Sequence, residues 1–166
     1  MLVALFSGSA RSDDSTVMVT NSANPADIST SYTGRFGAGV IFGEPTGASL
    51  KFWLNDTVAI DGAVGASFND NDDDDASFYM HSDLLWHNFA LIPVPRGRLP
   101  VYLGGGGLVR FRHHDDNQVG VRVPVGLSYM FDSAPVDIFA EVAPAIDISP
   151  GVRGEITGGI GIRFWF

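Results

Sequence analysis

The sequence has 166 residues, of which 45% are hydrophobic, with a net charge of −9 and no cysteine. That length suits one domain, and the apolar content is too high for a disordered chain. The excess of acids disfavours nucleic-acid binding, and the lack of cysteine excludes disulfides, thiolate catalysis and cysteine-ligated zinc. No apolar stretch reaches the ~18 residues of a transmembrane helix, whereas a membrane-crossing strand needs only about 9–11 residues of alternating polarity.

The N-terminal residues precede any strand pattern. Residues 1–10 join a short apolar run to small residues and resemble the remnant of a secretory signal peptide, although a basic start is missing. A flexible apolar terminus is the alternative interpretation. Residues 11–32 are rich in Ser, Asp, Asn and Thr, and this composition predicts a flexible leader.

From residue 33 onward, apolar and polar residues alternate in eight segments that turn residues separate. The predicted strands are 33–42, 46–54, 57–68, 77–88, 100–112, 118–131, 136–147 and 153–166. Because most connections are short, strands adjacent in sequence should pair, which predicts an up-and-down antiparallel order. Pro124 and Pro144 lie inside predicted strands, and we expect a β-bulge at each of them.

The two faces of these segments differ sharply. One face carries no charged residue in any of the eight segments, and the other carries charges of both signs among small residues. We expect a charge network on the second face, and its members are Arg35, Lys51, Asp61, His81, Asp83, Arg110, Arg112, Arg122, Asp137, Glu141, Asp147, Glu155 and Arg163. In this network Glu141, Asp137 and Asp61 should pair with Arg122, Arg110, Arg163 or Lys51.

This partition of polarity separates three folds. An uncharged face suits lipid, where Arg or Lys at mid-depth costs ~2–4 kcal/mol. Small residues and matched charges suit a narrow lumen, in which buried charges must pair. A soluble ligand-binding barrel would reverse the two faces, and a β-sandwich would expose the charged face to water. The sequence therefore predicts an all-β fold, a closed up-and-down antiparallel eight-stranded transmembrane β-barrel over residues 33–166.

Aromatic residues on the apolar face cluster at the ends of the predicted strands. One end carries Phe36, Phe52, Trp86, Tyr129, Phe131, Phe164 and Phe166, and the other carries Phe42, Phe68, Phe78 and Phe111. Such rings mark the two membrane–water interfaces. We expect the first end and both termini to face the periplasm. The longest connection, 89–99, then lies on the side where outer-membrane barrels usually have short turns.

The end of the sequence carries the most specific motif. Residues 161–166 resemble the C-terminal signal that the barrel-assembly machinery recognises, with Gly161, Phe164 and the terminal aromatic Phe166. Gly159 stands where that signal usually has a polar residue. Together with the strand pattern, this motif makes the chain resemble small outer-membrane barrels of the OmpA/OmpX type. Residues 43–47 and 49–54 also resemble uncharacterised bacterial outer-membrane barrel proteins.

The resemblance implies a location in the bacterial outer membrane. It also implies that Gly161, Phe164 and Phe166 form an assembly signal, with outer-membrane lipid and the barrel-assembly machinery as partners. We expect a monomer. The expected role is structural or one of surface interaction.

Some barrels of this size are lipid A-modifying enzymes, so a nucleophile and its base need to be sought. His81 and Ser82 are adjacent in a strand and point to opposite faces, so they cannot pair. His81 and Asp83 share a face, but the spacing adds no hydroxyl nucleophile to them. We therefore expect no catalytic residue, with His81 and His87 hydrogen-bonded in the lumen. A lipid A-modifying enzyme and a soluble or periplasmic ligand-binding barrel are the alternatives.

The aspartates of residues 70–75 are the main candidate for metal binding. The run lacks the glycine at position 6 and the glutamate at position 12 of an EF-hand. Two interpretations fit the run: a solvated, self-repelling loop, or an adventitious cation site shared with residues 113–116. We expect no dedicated metal site and no cofactor.

Overall fold

The computed structural model describes residues 34–67, 77–111, 117–149 and 151–166, and all regular structure in them is β-strand. The strands are β1 (Phe36–Glu44), β2 (Thr46–Trp53), β3 (Val58–Ser67), β4 (Ser77–Asn88), β5 (Val101–Phe111), β6 (Gln118–Arg122), β7 (Val125–Met130), β8 (Val136–Ser149) and β9 (Arg153–Trp165). β6 and β7 are the two halves of the strand predicted over 118–131. None of the described residues forms a helix with the length and apolar character needed to cross a membrane.

The strands form one antiparallel sheet that closes on itself. Each strand pairs with its neighbour in sequence, and β6 and β7 share one position between β5 and β8. The ring is completed by pairing of β1 with β9, in a register that places Ala38 opposite Phe164 and Gly43 opposite Gly159. These pairings give eight positions around the ring and confirm the predicted up-and-down antiparallel barrel.

The side chains alternate between the lumen and the outer surface, most regularly in β4. In β4 every second residue from Ser77 to His87 is buried, and every residue between them is exposed. The exposed set is apolar apart from Ser82 and Asn88, whereas the buried set includes His81 and Asp83. The barrel therefore has a polar interior and an apolar exterior, the reverse of a water-soluble barrel.

Pro124 and Pro144 do not produce the β-bulges expected from the sequence. Pro124 separates β6 from β7, but the register against β5 and against β8 is the same on its two sides, from Arg122 to Val125. β8 runs through Pro144 without a change of register to β9. Each proline loses a donor yet still accepts a backbone N–H at 2.9 Å through its carbonyl, so no extra residue is needed. The register shift in this region lies instead between Val119 and Gly120.

Aromatic side chains surround both ends of the outer surface. At the end that holds Phe166, its ring centroid lies 6.4 Å from that of Phe36 and 5.1 Å from that of Phe164. At the opposite end the rings of Phe78 and Phe111 lie 5.9 Å apart. Phe68, which the sequence placed in this second ring, lies outside the described residues.

Inside the barrel, an aromatic plug closes the lumen at the Phe166 end. The plug consists of Trp53, Ala59, Met130 and Trp165, with Phe89 packed against them from the connection that follows β4. The ring centroids of Trp53 and Trp165 lie 6.1 Å apart. At this end the lumen is therefore filled by side chains.

Candidate functional site

The lumen contains buried charged side chains in successive levels from the plug to the opposite end. Its buried cations are Lys51, Arg110, Arg122 and Arg163, and its buried carboxylates are Asp61, Asp83, Asp137, Glu141 and Asp147. Isolated charges in such a setting would cost several kcal/mol each by desolvation. Because the numbers of cations and carboxylates are nearly equal, opposite charges can pair, and both groups can remain inside the barrel.

Lys51 forms the level next to the plug. Its Nζ lies 2.7 Å from Nε2 of His87, and Nδ1 of the same imidazole lies 3.3 Å from the carbonyl oxygen of Thr57. Since a carbonyl only accepts, Nδ1 carries the hydrogen and Nε2 accepts from the Lys51 ammonium. The ammonium also lies 5.1 Å from the centroid of Trp53 and 5.0 Å from that of Tyr102. Lys51 is thus held by an imidazole and two aromatic faces.

Arg163 forms the next level, where it joins β2, β3 and β8 to β9. Its Nη2 donates to Oδ2 of Asp61 at 3.0 Å, and its Nε donates to Oγ of Ser49 at 3.0 Å. Nη1 lies 3.9 Å from Oδ2 of Asp137, and the guanidinium lies 3.7 Å from the ring centroid of Phe139. Arg163 therefore connects the closing strand β9 to its neighbour β8 and, across the lumen, to β2 and β3.

Arg122 occupies the centre of the lumen. Its Nη2 donates to Oε1 of Glu141, and its Nε lies 3.3 Å from Oδ2 of Asp83. Nη1 donates to Nδ1 of His81 at 2.8 Å and lies 3.4 Å from the hydroxyl of Tyr79. Because arginine only donates, Nδ1 of His81 is an acceptor and its Nε2 carries the hydrogen. That Nε2 lies 3.7 Å from Oδ2 of Asp83, which completes a closed polar cluster.

Arg110 forms the level furthest from the plug. Its Nη2 donates to both carboxylate oxygens of Glu155, at 3.0 and 2.9 Å, and Nη1 donates to Oε1 of Gln118 at 2.7 Å. Nη1 also lies 3.9 Å from Oδ2 of Asp147, and the guanidinium lies 5.3 Å from the ring centroid of Tyr79. Glu155 is half-buried, so this level lies near the mouth of the lumen.

The structure brings together most of the residues that the sequence placed in the network. The expected pairs of Glu141 with Arg122, and of Asp61 and Asp137 with Arg163, are present in it. Arg35 is a correction, because it is exposed just before β1 and lies outside the buried levels. Arg112 and the acidic residues of 70–75 and 113–116 lie outside the described residues.

Sequence reasoning missed the aromatic partners of the buried cations. Tyr79, Tyr102 and Phe139 contact the cations of three different levels, and Tyr102 also donates to Oε2 of Glu141 at 3.1 Å. A signal was present, because all three residues have the inward parity of their strands. A pattern of charges does not reveal these rings, because they are uncharged.

The cluster around Arg122 does not have the geometry of a hydrolase triad. Ser82 points outward, so among the described residues His81 is joined to Arg122 and Asp83 rather than to a serine. Donor atoms of His81, Asp83 and Glu141 lie within 4.8 Å of one another, which is the spacing of a metal site. The Arg122 guanidinium, however, contacts all three groups and already supplies the positive charge there.

Comparison with known proteins supports the fold. No family model matches the sequence, and no curated protein matches it. The N-terminal β-barrel domain of Pseudomonas aeruginosa OprF superposes with a TM-score of 0.60 at 18% identity, covering 80% of this chain and 98% of that one. Neisserial surface protein A, NspA, gives a TM-score of 0.47 at 15% identity over 79% of this chain and 94% of its own. The likeness to the OprF domain is one of fold.

Replacing Glu141 should destabilise the barrel. Glu141→Ala leaves the buried Arg122 short of one carboxylate, and breaking a buried pair in this way costs about 3–5 kcal/mol. Urea unfolding of the refolded protein in detergent measures the loss. Glu141→Gln should cost less, because its amide oxygen can still accept from Arg122 and its amide N–H can donate to the hydroxyl oxygen of Tyr102.

The matched control is Asp56→Ala, which removes a carboxylate from an exposed turn. It should change the free energy of unfolding by no more than about 0.5 kcal/mol. An unfolding midpoint that is the same for Glu141→Ala and the unmodified protein would contradict a packed, charge-paired lumen.

Proposed function

We propose that this protein is a non-enzymatic integral protein of the bacterial outer membrane, with a structural or surface-interaction role in the envelope. The inverted polarity of the barrel is the single observation that carries the proposal. Arg122 and Arg163 are almost fully buried in the lumen, while large apolar side chains such as Ile160 and Leu84 face outward. A lipid environment accounts both for the burial of the arginines and for the outward position of the apolar side chains.

The extent of the apolar exterior supports a membrane location. Each of the nine strands exposes at least one apolar side chain, and β9 alone exposes Ile156, Ile160, Ile162 and Phe164. Water-soluble monomers rarely expose contiguous apolar patches larger than a few hundred Å². Burial in hydrocarbon favours such surface by roughly 25 cal/mol per Å². The fold likeness to the OprF barrel domain is consistent with this location.

The filled lumen argues against a general pore. Four buried cations, their acceptors and the plug occupy the interior from Arg110 to Trp165. Eight strands leave room only for side chains, so the proposed role requires no solute passage.

The orientation follows from the assembly motif and the aromatic rings. Phe164 in β9 and Phe166 directly after it are exposed, while Gly161 faces the lumen beside the ring of Phe139. We place this end, and both termini, on the periplasmic side. The barrel-assembly machinery would then engage β9 through the exposed aromatic residues.

Fractionation of expressing bacterial cells tests the proposed location. We expect the protein in the outer-membrane fraction, released only by detergent, with a heat-dependent shift on a denaturing gel because a closed barrel resists unfolding. Recovery without detergent and without a heat shift would support a soluble ligand-binding barrel instead. Altered lipid A mass spectra in the same cells would contradict the non-enzymatic role.

Single cysteines test the orientation in those cells, since the chain has none of its own. Ser133 lies in the exposed turn between β7 and β8, and Ser149 is exposed at the opposite end of the barrel. A membrane-impermeant maleimide should label Ser149→Cys in intact cells and Ser133→Cys only after lysis. The reverse pattern would contradict periplasmic termini.

A matched pair of variants tests the assembly motif. Phe164→Ala/Phe166→Ala removes two ring aromatics, one in β9 and one directly after it, and Phe36→Ala/Phe52→Ala removes two from β1 and β2 at the same end. We expect the first variant to lose most of its folded, heat-shifting form in cells, and the second to keep it. Both purified proteins should refold in detergent. Equal assembly defects would assign these aromatics to membrane anchoring rather than recognition.

A further inference from the structure

The connection of residues 89–100, between β4 and β5, is fixed to the end of the barrel. Near its start, Phe89 packs into the aromatic plug. Near its end, Arg98 exchanges two backbone hydrogen bonds with Met130, at 3.0 and 2.8 Å. Because both ends are held, the side chains between them have a defined place on the barrel.

The middle of this connection lies at the level of the outer aromatic ring. The hydroxyl of Tyr129 donates to the carbonyl oxygen of Arg96 at 3.1 Å. Trp86, which is 63% exposed near the end of β4, belongs to the same ring. Tyrosine and tryptophan of such rings lie at the depth of the lipid headgroups. Arg96 is therefore at headgroup depth as well.

The connection combines apolar side chains with cations. Leu91 is 61% exposed and Ile92 is 38% exposed, and both lie in the segment that is fixed at its two ends. Arg96 is exposed, whereas Arg98 is half-buried: its Nη1 is shielded from solvent and its guanidinium lies 5.8 Å from the ring centroid of Phe89. The ion pairs found among the described residues involve neither of these two arginines.

One carboxylate lies beside the two arginines. Oδ2 of Asp132 accepts the backbone N–H of Gly97 at 2.5 Å, so this carboxylate holds the turn between them. Gly97 has a φ of +68°, in the left-handed region that favours glycine. Two arginines and one aspartate give this turn a net charge of +1.

We propose that the 89–100 connection is a binding site for the headgroup of an anionic phospholipid. The inference rests on the proposed membrane location. Arg96 would donate to the phosphate oxygens, for which guanidinium geometry is well suited, and the half-buried Arg98 would add positive charge beside it, while Leu91 and Ile92 enter the adjoining acyl layer. A zwitterionic headgroup carries its own ammonium, so the site favours phosphatidylglycerol over phosphatidylcholine.

Native mass spectrometry of the refolded full chain in a neutral detergent tests this site. The protein is mixed with equal amounts of phosphatidylglycerol and phosphatidylcholine that have the same acyl chains. We expect phosphatidylglycerol to bind about tenfold more tightly, since each basic residue near an anionic headgroup contributes several-fold. Arg96→Gln/Arg98→Gln should remove the preference. Arg153→Gln, which alters an exposed arginine at the other end of the barrel, should keep it.

Several outcomes would overturn the site. They are equal binding of both lipids by the unmodified protein, a preference that survives in Arg96→Gln/Arg98→Gln, and a preference that is lost equally in Arg153→Gln. Displacement of the lipid by inorganic phosphate would show a free-anion site instead. The heat-dependent gel shift, recorded on the same samples, separates the two proposals. A protein that shows the gel shift but no lipid preference refutes only the headgroup site. A protein that shows no gel shift refutes the membrane barrel.

Discussion

The contacts of Arg122 across the lumen are the interaction on which the rest of the structure depends. A guanidinium inside a narrow barrel has lost its water, and only several acceptors together can offset that loss. The acceptors come from both sides of the lumen, Asp83 and His81 from β4 and Glu141 from β8. Two strands that do not pair with each other are thereby joined through one side chain from β6.

Small residues make room for this central cluster. Gly106 on β5 lies opposite Asp83, and a methyl group in its place would collide with that carboxylate. Gly126 on β7 likewise leaves room for the ring of Tyr102, which donates to Glu141. The charged interior thus requires glycines in the wall, because larger residues would occupy the space of the lumen side chains. With the charges inside, the exterior is free to be apolar and to face lipid.

The sequence predicted the strands and their two faces because a barrel strand shows its environment at every second residue. β4 is the clearest case, with an alternation that is unbroken from Ser77 to Asn88. Pairing partners within the lumen were harder to predict, since they depend on which strands face each other across the barrel. Arg35 has the right parity but lies before the strand begins, and parity alone cannot show this.

Two other features lay beyond the sequence pattern. The expected bulges at Pro124 and Pro144 are missing because a proline carbonyl can keep its place in a ladder, so the register depends on the neighbouring strands. The aromatic plug brings Phe89 of a connection against Trp53 and Trp165 of distant strands. Such a contact exists only once the ring has closed. Local periodicity carries no information about it.

The central claim is that lipid covers the apolar outer surface while the lumen remains packed, and the three tryptophans report on it directly. Trp86 is exposed on the outer surface, whereas Trp53 and Trp165 are buried in the plug. The measurement is tryptophan fluorescence of the protein in vesicles made with brominated or unbrominated acyl chains. We predict that brominated lipid strongly quenches the fluorescence of the unmodified protein. This quenching should be largely lost in Trp86→Phe and should remain in Trp53→Phe and Trp165→Phe. Quenching that persists in Trp86→Phe, or Trp86 emission that responds to aqueous iodide but not to brominated lipid, would contradict it.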